Sequence, residues 1–150
     1  MIKKFKTKKG VSIIEILVAI AIITITFTSL IQLAIFSLKV AWFNKEQTEA
    51  INLAQEAVEA TRSIRDSDWS KITPGSHGLI NTAGYWDFQG TENIINGFNR
   101  VIKIENVSRD PATDNIDNST NDDPNTKKII SAVSWKNKKI EIVTYLTNWK

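Results

Sequence analysis

The sequence predicts an α+β fold in which one long N-terminal helix packs against a small antiparallel β-sheet. Three observations favour this class. Residues 16–38 contain no charged side chain. Residues 44–65 contain neither Gly nor Pro and repeat apolar residues at helical spacing. Beyond residue 98, apolar and polar residues alternate, which is typical of half-buried strands.

The uncharged segment is long enough to cross a bilayer. Residues 16–38 would form about 34 Å of helix, against a hydrocarbon core of about 30 Å. Five lysines precede the segment, whereas only Lys39 and Lys45 follow it closely. Because positive flanks stay cytoplasmic, we expect the N-terminus inside and the C-terminal part outside. A secretory signal peptide has a shorter apolar region, but an uncleaved signal-anchor stays open as an alternative.

Composition narrows the function classes. The net charge is +3, but the first ten residues hold five lysines, and +3 minus five leaves −2 for the remainder. The basic pI therefore says little about nucleic acid. The chain has no Cys and one His, which excludes disulfides, thiolate zinc sites and histidine-rich metal sites. We find no nucleophile setting, phosphate loop or paired acids, and expect no enzyme.

The junction before the apolar segment is the most informative stretch. Lys9-Gly10 is followed by the short apolar run Val11–Ile14 and then by a single carboxylate, Glu15. A carboxylate at the edge of a membrane-spanning helix is costly and marks a functional residue by default. Gly10 can adopt the unusual backbone angles that a protease site requires.

This junction resembles that of type IV prepilins and type II secretion pseudopilins. The resemblance implies that prepilin peptidase cuts after Gly10 and methylates the new N-terminus at Val11. It also implies that Glu15, then the fifth residue, pairs with the amine of Val11 in a neighbouring subunit and sets the register of a filament. The family usually has Phe or Met after the cut, where this chain has Val11.

The chain beyond the membrane resembles minor pilins of the V class and related minor pseudopilins. The likeness rests on Leu53–Glu59 with Arg62 and Arg65, on Val133-Ser134-Trp135, and on Val143–Thr147. The predicted parts are a cleaved basic leader (1–10), a transmembrane and assembly helix (11–40), an amphipathic continuation of the stem (41–65) and an extracytoplasmic β-rich part (66–150). The helix should run from about Ser12 to about Ile64.

The β-rich part should form an antiparallel meander. We predict strands at 99–107, 128–135 and 139–147, with Asn137 at positive φ in the hairpin between the last two. Residues 66–97 should be a loop-rich link with a short strand near 85–88. Trp69, Trp86 and Phe88 should anchor this link to the core. The core candidates of the sheet are Val133, Trp135, Ile140 and Ile142, and Arg100, Ile102 and Ile104 should share one face.

An acidic loop spans residues 110–125. It contains Asp114, Asp117, Asp122 and Asp123, which are candidates for a weak calcium site. The spacing and the Gly of an EF-hand loop are missing, so a solvated flexible loop is the favoured interpretation. No other cofactor is predicted.

The resemblance implies a structural subunit whose partners are prepilin peptidase, other pilin or pseudopilin subunits and an inner-membrane assembly platform. It does not tell a type IV pilus from type II secretion or a competence pilus. A second hypothesis is a tip subunit that binds DNA or a surface ligand. Its basic and aromatic cluster would comprise Lys136, Lys138, Lys139 and Lys150 with Trp135 and Trp149. Lysines on an edge strand also protect a sheet from aggregation, and this explains the cluster without a ligand. Nucleic acid is therefore the less favoured partner.

Overall fold

The computed structural model describes Gly10 and residues 12–110, 112–117 and 121–149. The chain divides into two compact units, Met1–Lys45 and Glu46–Lys150. The first ten residues other than Gly10, together with Val11, lie outside the described residues, as do 111, 118–120 and Lys150.

Helix α1 covers Ile13–Ser67. It matches the predicted bounds to within three residues at its C-terminal end, because no Gly or Pro interrupts the segment. Its first half is apolar on all sides, and its second half buries one stripe. The residues at helical spacing that predicted this stripe are Ala50, Ile51, Ala54, Ala57, Val58, Thr61 and Ile64. Six of these seven are buried, and Ile51 is half-buried. The helix ends just before Asp68, whose carboxylate caps a short 3-10 turn by accepting a hydrogen bond from the Ser70 amide at 2.9 Å.

Eight strands follow in the described residues. They are β1 (Gly75–His77), β2 (Leu79–Thr82), β3 (Tyr85–Phe88), β4 (Asn93–Ile95), β5 (Phe98–Arg109), β6 (Ile116–Asp117), β7 (Asp122–Trp135) and β8 (Lys138–Thr147). The main sheet has the order β1-β5-β7-β8, and β4 and β6 also pair with β5. Strands β2 and β3 form a separate hairpin. All pairings are antiparallel.

The predicted α+β, pilin-like architecture is therefore confirmed, with the meander β5-β7-β8 at its centre. Strands β1, β2, β4 and β6 were not predicted, since each has only two to four residues and is too short to show alternation. The predicted loop 110–125 is partly wrong, because Ile116–Asp117 pairs with β5 and β7 already begins at Asp122.

The turn between β7 and β8 also differs from expectation. Trp135 pairs with Lys138, which leaves a two-residue loop. The positive φ falls at Lys136 (51°) and not at Asn137. The hairpin geometry fixes which loop position takes this conformation, and here it overrides the preference of Asn for it.

The core lies between the second half of α1 and one face of the sheet. One cluster joins Ala57, Ala60 and Ile64 of the helix to Ile102, Ile104, Ile129 and Leu146, and Trp69, Trp86 and Phe88 pack against it as predicted. A second cluster joins Ala50 and Ala54 to Phe98, Val133 and Trp135. Ile140 and Ile142 are only partly buried beside it. In β8 the deeply buried residue is instead Leu146.

Candidate functional site

Of the junction that resembles a processing site, Gly10 and the residues from Ser12 to Glu15 are described, and they are exposed. Gly10 lies three residues before α1, and a Cβ added there would meet no atom of the described structure within 4 Å. The helix begins by hydrogen bonds from the amides of Glu15 and Ile16 to the carbonyl of Ser12, at 3.0 and 3.3 Å. The predicted cleavage partner, Val11, lies outside the described residues. Gly10 is thus accessible and lies outside the helix.

Glu15 lies in the first turn of α1 and is exposed. A negative charge in this turn is favoured by the helix dipole and by the free amides of the helix start. Within the described residues its carboxylate has no ion pair, and the amine proposed as its partner belongs to Val11. The predicted pair of Val11 and Glu15 therefore stays a prediction.

The apolar segment that follows the junction is exposed along its whole length. Every residue from Ser12 to Lys45 is exposed. Among them are large apolar side chains that are half or more exposed: Ile13, Leu17, Ile23, Phe27, Leu33, Phe36 and Leu38. Soluble proteins rarely expose a continuous apolar surface of this size. Of the described helices, this one is long and apolar enough to cross a membrane.

The far end of the segment carries aromatic and basic residues. Trp42 and Phe43 are exposed, and the ammonium of Lys45 lies 5.4 Å from the ring centre of Trp42. Trp beside Lys is typical of the level at which a helix leaves a bilayer, because both side chains have an apolar body and a polar tip. Trp42 was not predicted to mark this boundary from the sequence.

The candidate calcium loop is organised around an arginine. Arg109 contacts Asp123 (Nε to Oδ2, 2.7 Å), the carbonyl of Asp114 (2.8 Å) and the hydroxyl of Thr126 (3.2 Å). Hydrogen bonds from Thr126 and then from Arg109 lower the pKa of Asp123. Asp122 instead accepts hydrogen bonds from Asn106 and Ser108.

No group of three or more His, Asp or Glu that could hold a metal occurs among the described residues. A guanidinium therefore supplies the positive charge that Asp123 requires. Asp114, Asp117, Asp122 and Asp123 stay a predicted calcium site to which this geometry adds no support.

The basic and aromatic cluster considered for DNA is only partly assembled: Lys138 contacts Glu46 and lies 5.8 Å from the ring centre of Trp135, but Trp149 lies elsewhere. Lys136 hydrogen-bonds to Glu46 near one end, whereas Trp149 lies 5.9 Å from the guanidinium of Arg65 near the other. Glu46 and Arg65 are nineteen residues apart in α1, about 28 Å along a helix. Trp135 is buried and offers no face for a stacked base. The structure therefore brings Trp135, Lys136 and Lys138 together and places Trp149 apart from them, and Lys150 lies outside the described residues.

Two contacts of α1 carboxylates with the sheet were not found from the sequence. Arg100 is buried on the core side of β5, and its guanidinium contacts Glu56 at 2.8 Å. Glu46 accepts hydrogen bonds from Lys136 and from the indole of Trp135, and the hydrogen bond from Lys136 contributes most to the lowered pKa of Glu46. The alternation in β5 placed Arg100 on the core face. A buried guanidinium requires a carboxylate partner, so this position was a sequence signal for the ion pair.

No family model, curated protein or solved structure matches this chain. The class that the fold defines is therefore an α+β, pilin-like architecture with an exposed apolar N-terminal helix.

Proposed function

We propose that this chain is a minor subunit of a type IV pilus or of a type II secretion pseudopilus. Prepilin peptidase would cut it after Gly10, and its apolar helix would then assemble into a filament outside the cytoplasmic membrane. The observation that carries the proposal is the complete exposure of residues 12–45 in a chain whose other unit has its own core.

In this function the apolar helix would occupy two environments, one before and one after assembly. Before assembly it lies in the membrane, where every backbone group is satisfied within the helix and the side chains face lipid. After assembly it lies among the apolar helices of other subunits, which bury the same surface. The exposure along residues 12–45 is what both states require.

Glu15 would set the axial offset between neighbouring apolar helices. Its carboxylate would be buried in a filament core, where an uncompensated charge is strongly unfavourable. The amine of Val11 in a neighbouring subunit would compensate it. Because Glu15 lies in the first turn of the helix, the two charges meet only when neighbouring helices are offset by a fixed distance. The pair selects the correct offset more than it adds stability.

The orientation follows from the five lysines before the helix, which hold the leader on the cytoplasmic side where the peptidase cuts. Trp42 with Lys45 supports an exit level at the outer surface. The β-rich unit then lies outside the cell membrane, and the partners are the peptidase, other pilin subunits and the inner-membrane assembly platform. The stem motif at Leu53–Glu59 and the β7 and β8 motifs support the V class of minor pilins.

The test is the N-terminal sequence and intact mass of the protein from cells that contain its own prepilin peptidase. We expect a chain that begins at methylated Val11. Glu15→Gln should be cut normally but enter sheared filaments poorly, whereas Glu59→Gln, on the exposed side of the stem, should enter them as the parent does. A chain that still begins at Met1 beside an active peptidase would refute the proposal and favour an uncleaved signal-anchor.

A further inference from the structure

Six polar side chains interrupt the apolar part of α1, and four of them are satisfied within the helix. Each of these four hydroxyls donates to a carbonyl three or four residues earlier. They are Thr24 to Ile20 (2.8 Å), Thr26 to Ile23 (2.9 Å), Thr28 to Thr24 (2.9 Å) and Ser29 to Ile25 (2.8 Å). Such hydroxyls cost little in lipid because their hydrogens are already bound. Ser37 lies one residue from the end of the uncharged segment, close to the water interface.

Gln32 differs from all of these. Its amide has two N–H donors and a carbonyl acceptor, and it makes no side-chain hydrogen bond within the described residues. It lies six residues before Leu38, the last residue of the uncharged segment, which corresponds to about 9 Å of helix. Lipid tails offer the amide no partner, so an unpaired Gln32 is unfavourable at this depth.

The face of α1 around Gln32 has the spacing of a helix–helix contact. Ala21, Ile25, Thr28, Gln32 and Ile35 are separated alternately by four and three residues. This repeat keeps one face towards a partner helix in a left-handed pair. Ala21 and Thr28 are small enough for close approach of two helices. All five side chains are exposed.

We propose that Gln32 hydrogen-bonds to Gln32 of a second copy of this chain within the membrane. An amide is self-complementary, since each can donate an N–H to the carbonyl of the other. Two copies inserted in the same orientation bring their amides to the same depth, so the second copy supplies the missing partner without further requirement. A polar residue at one core position also fixes the alignment of the pair. This inference depends only on the membrane-spanning part of the proposed function, not on filament assembly.

The experiment is disulfide cross-linking of the full-length chain in phospholipid vesicles at low protein density. The chain has no cysteine, so single replacements report cleanly. Ile25→Cys lies one heptad before Gln32 on the same face, and Leu30→Cys on the opposite face is its matched control. With copper phenanthroline as oxidant, Ile25→Cys should give a linked dimer and Leu30→Cys little. Adding Gln32→Leu should reduce the Ile25→Cys dimer about three- to tenfold, whereas Gln32→Asn should retain most of it.

The outcomes separate the inference from the proposed function. Equal cross-linking at both cysteines, or an Ile25→Cys dimer unchanged by Gln32→Leu, would overturn the Gln32 pair. Cross-linking in cells only to a protein of different mass would overturn the assignment of a second copy. Release of the parent chain from vesicles at alkaline pH would overturn the membrane segment, and with it both the inference and the proposed function.

Discussion

Removing the charge of Glu56 should destabilise the β-rich unit, because it leaves a buried cation without its carboxylate. The Arg100 side chain is 2% exposed and contacts Glu56 at 2.8 Å, while the Glu56 side chain is 47% exposed. Arg100 also donates to Asn93 at 3.3 Å and lies 5.9 Å from the ring centre of Trp86. These two contacts hold the guanidinium in place but do not neutralise it.

The loss of unfolding free energy expected for Glu56→Gln lies between two limits. Breaking a fully buried ion pair from one side costs about 3–5 kcal/mol, and a surface pair contributes about 0–1 kcal/mol. Since water reaches half of Glu56 but almost none of Arg100, we expect Glu56→Gln to reduce the free energy of unfolding by about 2 kcal/mol. At a slope of roughly 1–2 kcal/mol per M urea for a small unit, the midpoint should fall by about 1–2 M.

The assay is urea unfolding of the full-length protein in detergent micelles, followed by near-ultraviolet circular dichroism. Glu59→Gln is the matched control, because Glu59 makes its 2.9 Å contact with Arg62 between side chains that are 66% and 44% exposed. That control should shift the unfolding free energy by less than about 0.5 kcal/mol. If Glu56→Gln is no more destabilising than Glu59→Gln, the reasoning about the buried cation is wrong.

Two further predictions concern the β-rich unit. Gly78→Ala should destabilise it by roughly 3 kcal/mol or more, because the new Cβ would lie 2.5 Å from the carbonyl oxygen of Gln89 and 2.6 Å from that of Glu92. In the same urea assay, Gly97→Ala meets open space at φ +84° and should cost only about 1–2 kcal/mol of backbone strain; equal losses would contradict the steric argument. The lowered pKa of Asp123 means that its stabilising contribution is present above its unfolded-state pKa and is lost as pH falls through its folded-state pKa. Asp123→Asn should therefore be less stable than the parent at pH 7 and approach the parent below about pH 4, and a stability difference independent of pH would contradict this role.

The long helix and the three long strands could be predicted because each carries many periods of its pattern. Within residues 44–65 the apolar stripe runs from Ala50 to Ile64, about four helical turns. Strand β5 shows Arg100, Ile102 and Ile104 on the core face, as alternation required. The short strands β1, β4 and β6 could not be predicted, because their strand character comes from hydrogen bonds to β5 and not from their own sequence.

Contacts between side chains that are distant in sequence could not be predicted either. Alternation placed Arg100 inside, but its carboxylate lies 44 residues earlier on the helix. Leu146 is buried and Ile142 only partly so, since the position of the helix over the edge strand β8 decides which apolar residues it covers. For the candidate site, the exposed apolar segment could be predicted from residue type and spacing. The proposed pair of Glu15 with Val11 would form between neighbouring subunits, so it stays a prediction that a single chain does not test.

The alanines of the stem have a consequence for where the helix lies along the sheet. Ala50, Ala54 and Ala57 offer nearly the same small surface at each turn, so a shift of one turn, about 5.4 Å, would disturb apolar packing little at that end. The polar contacts do not repeat. Ser131 donates to the Ala54 carbonyl at 2.9 Å, and Arg100 and Trp135 find Glu56 and Glu46 at single positions. Apolar contacts thus determine which face of the helix lies on the sheet. These polar contacts, together with that of Lys136 to Glu46, determine its axial position. Removing them together should give a unit that samples several helix positions while keeping its secondary structure.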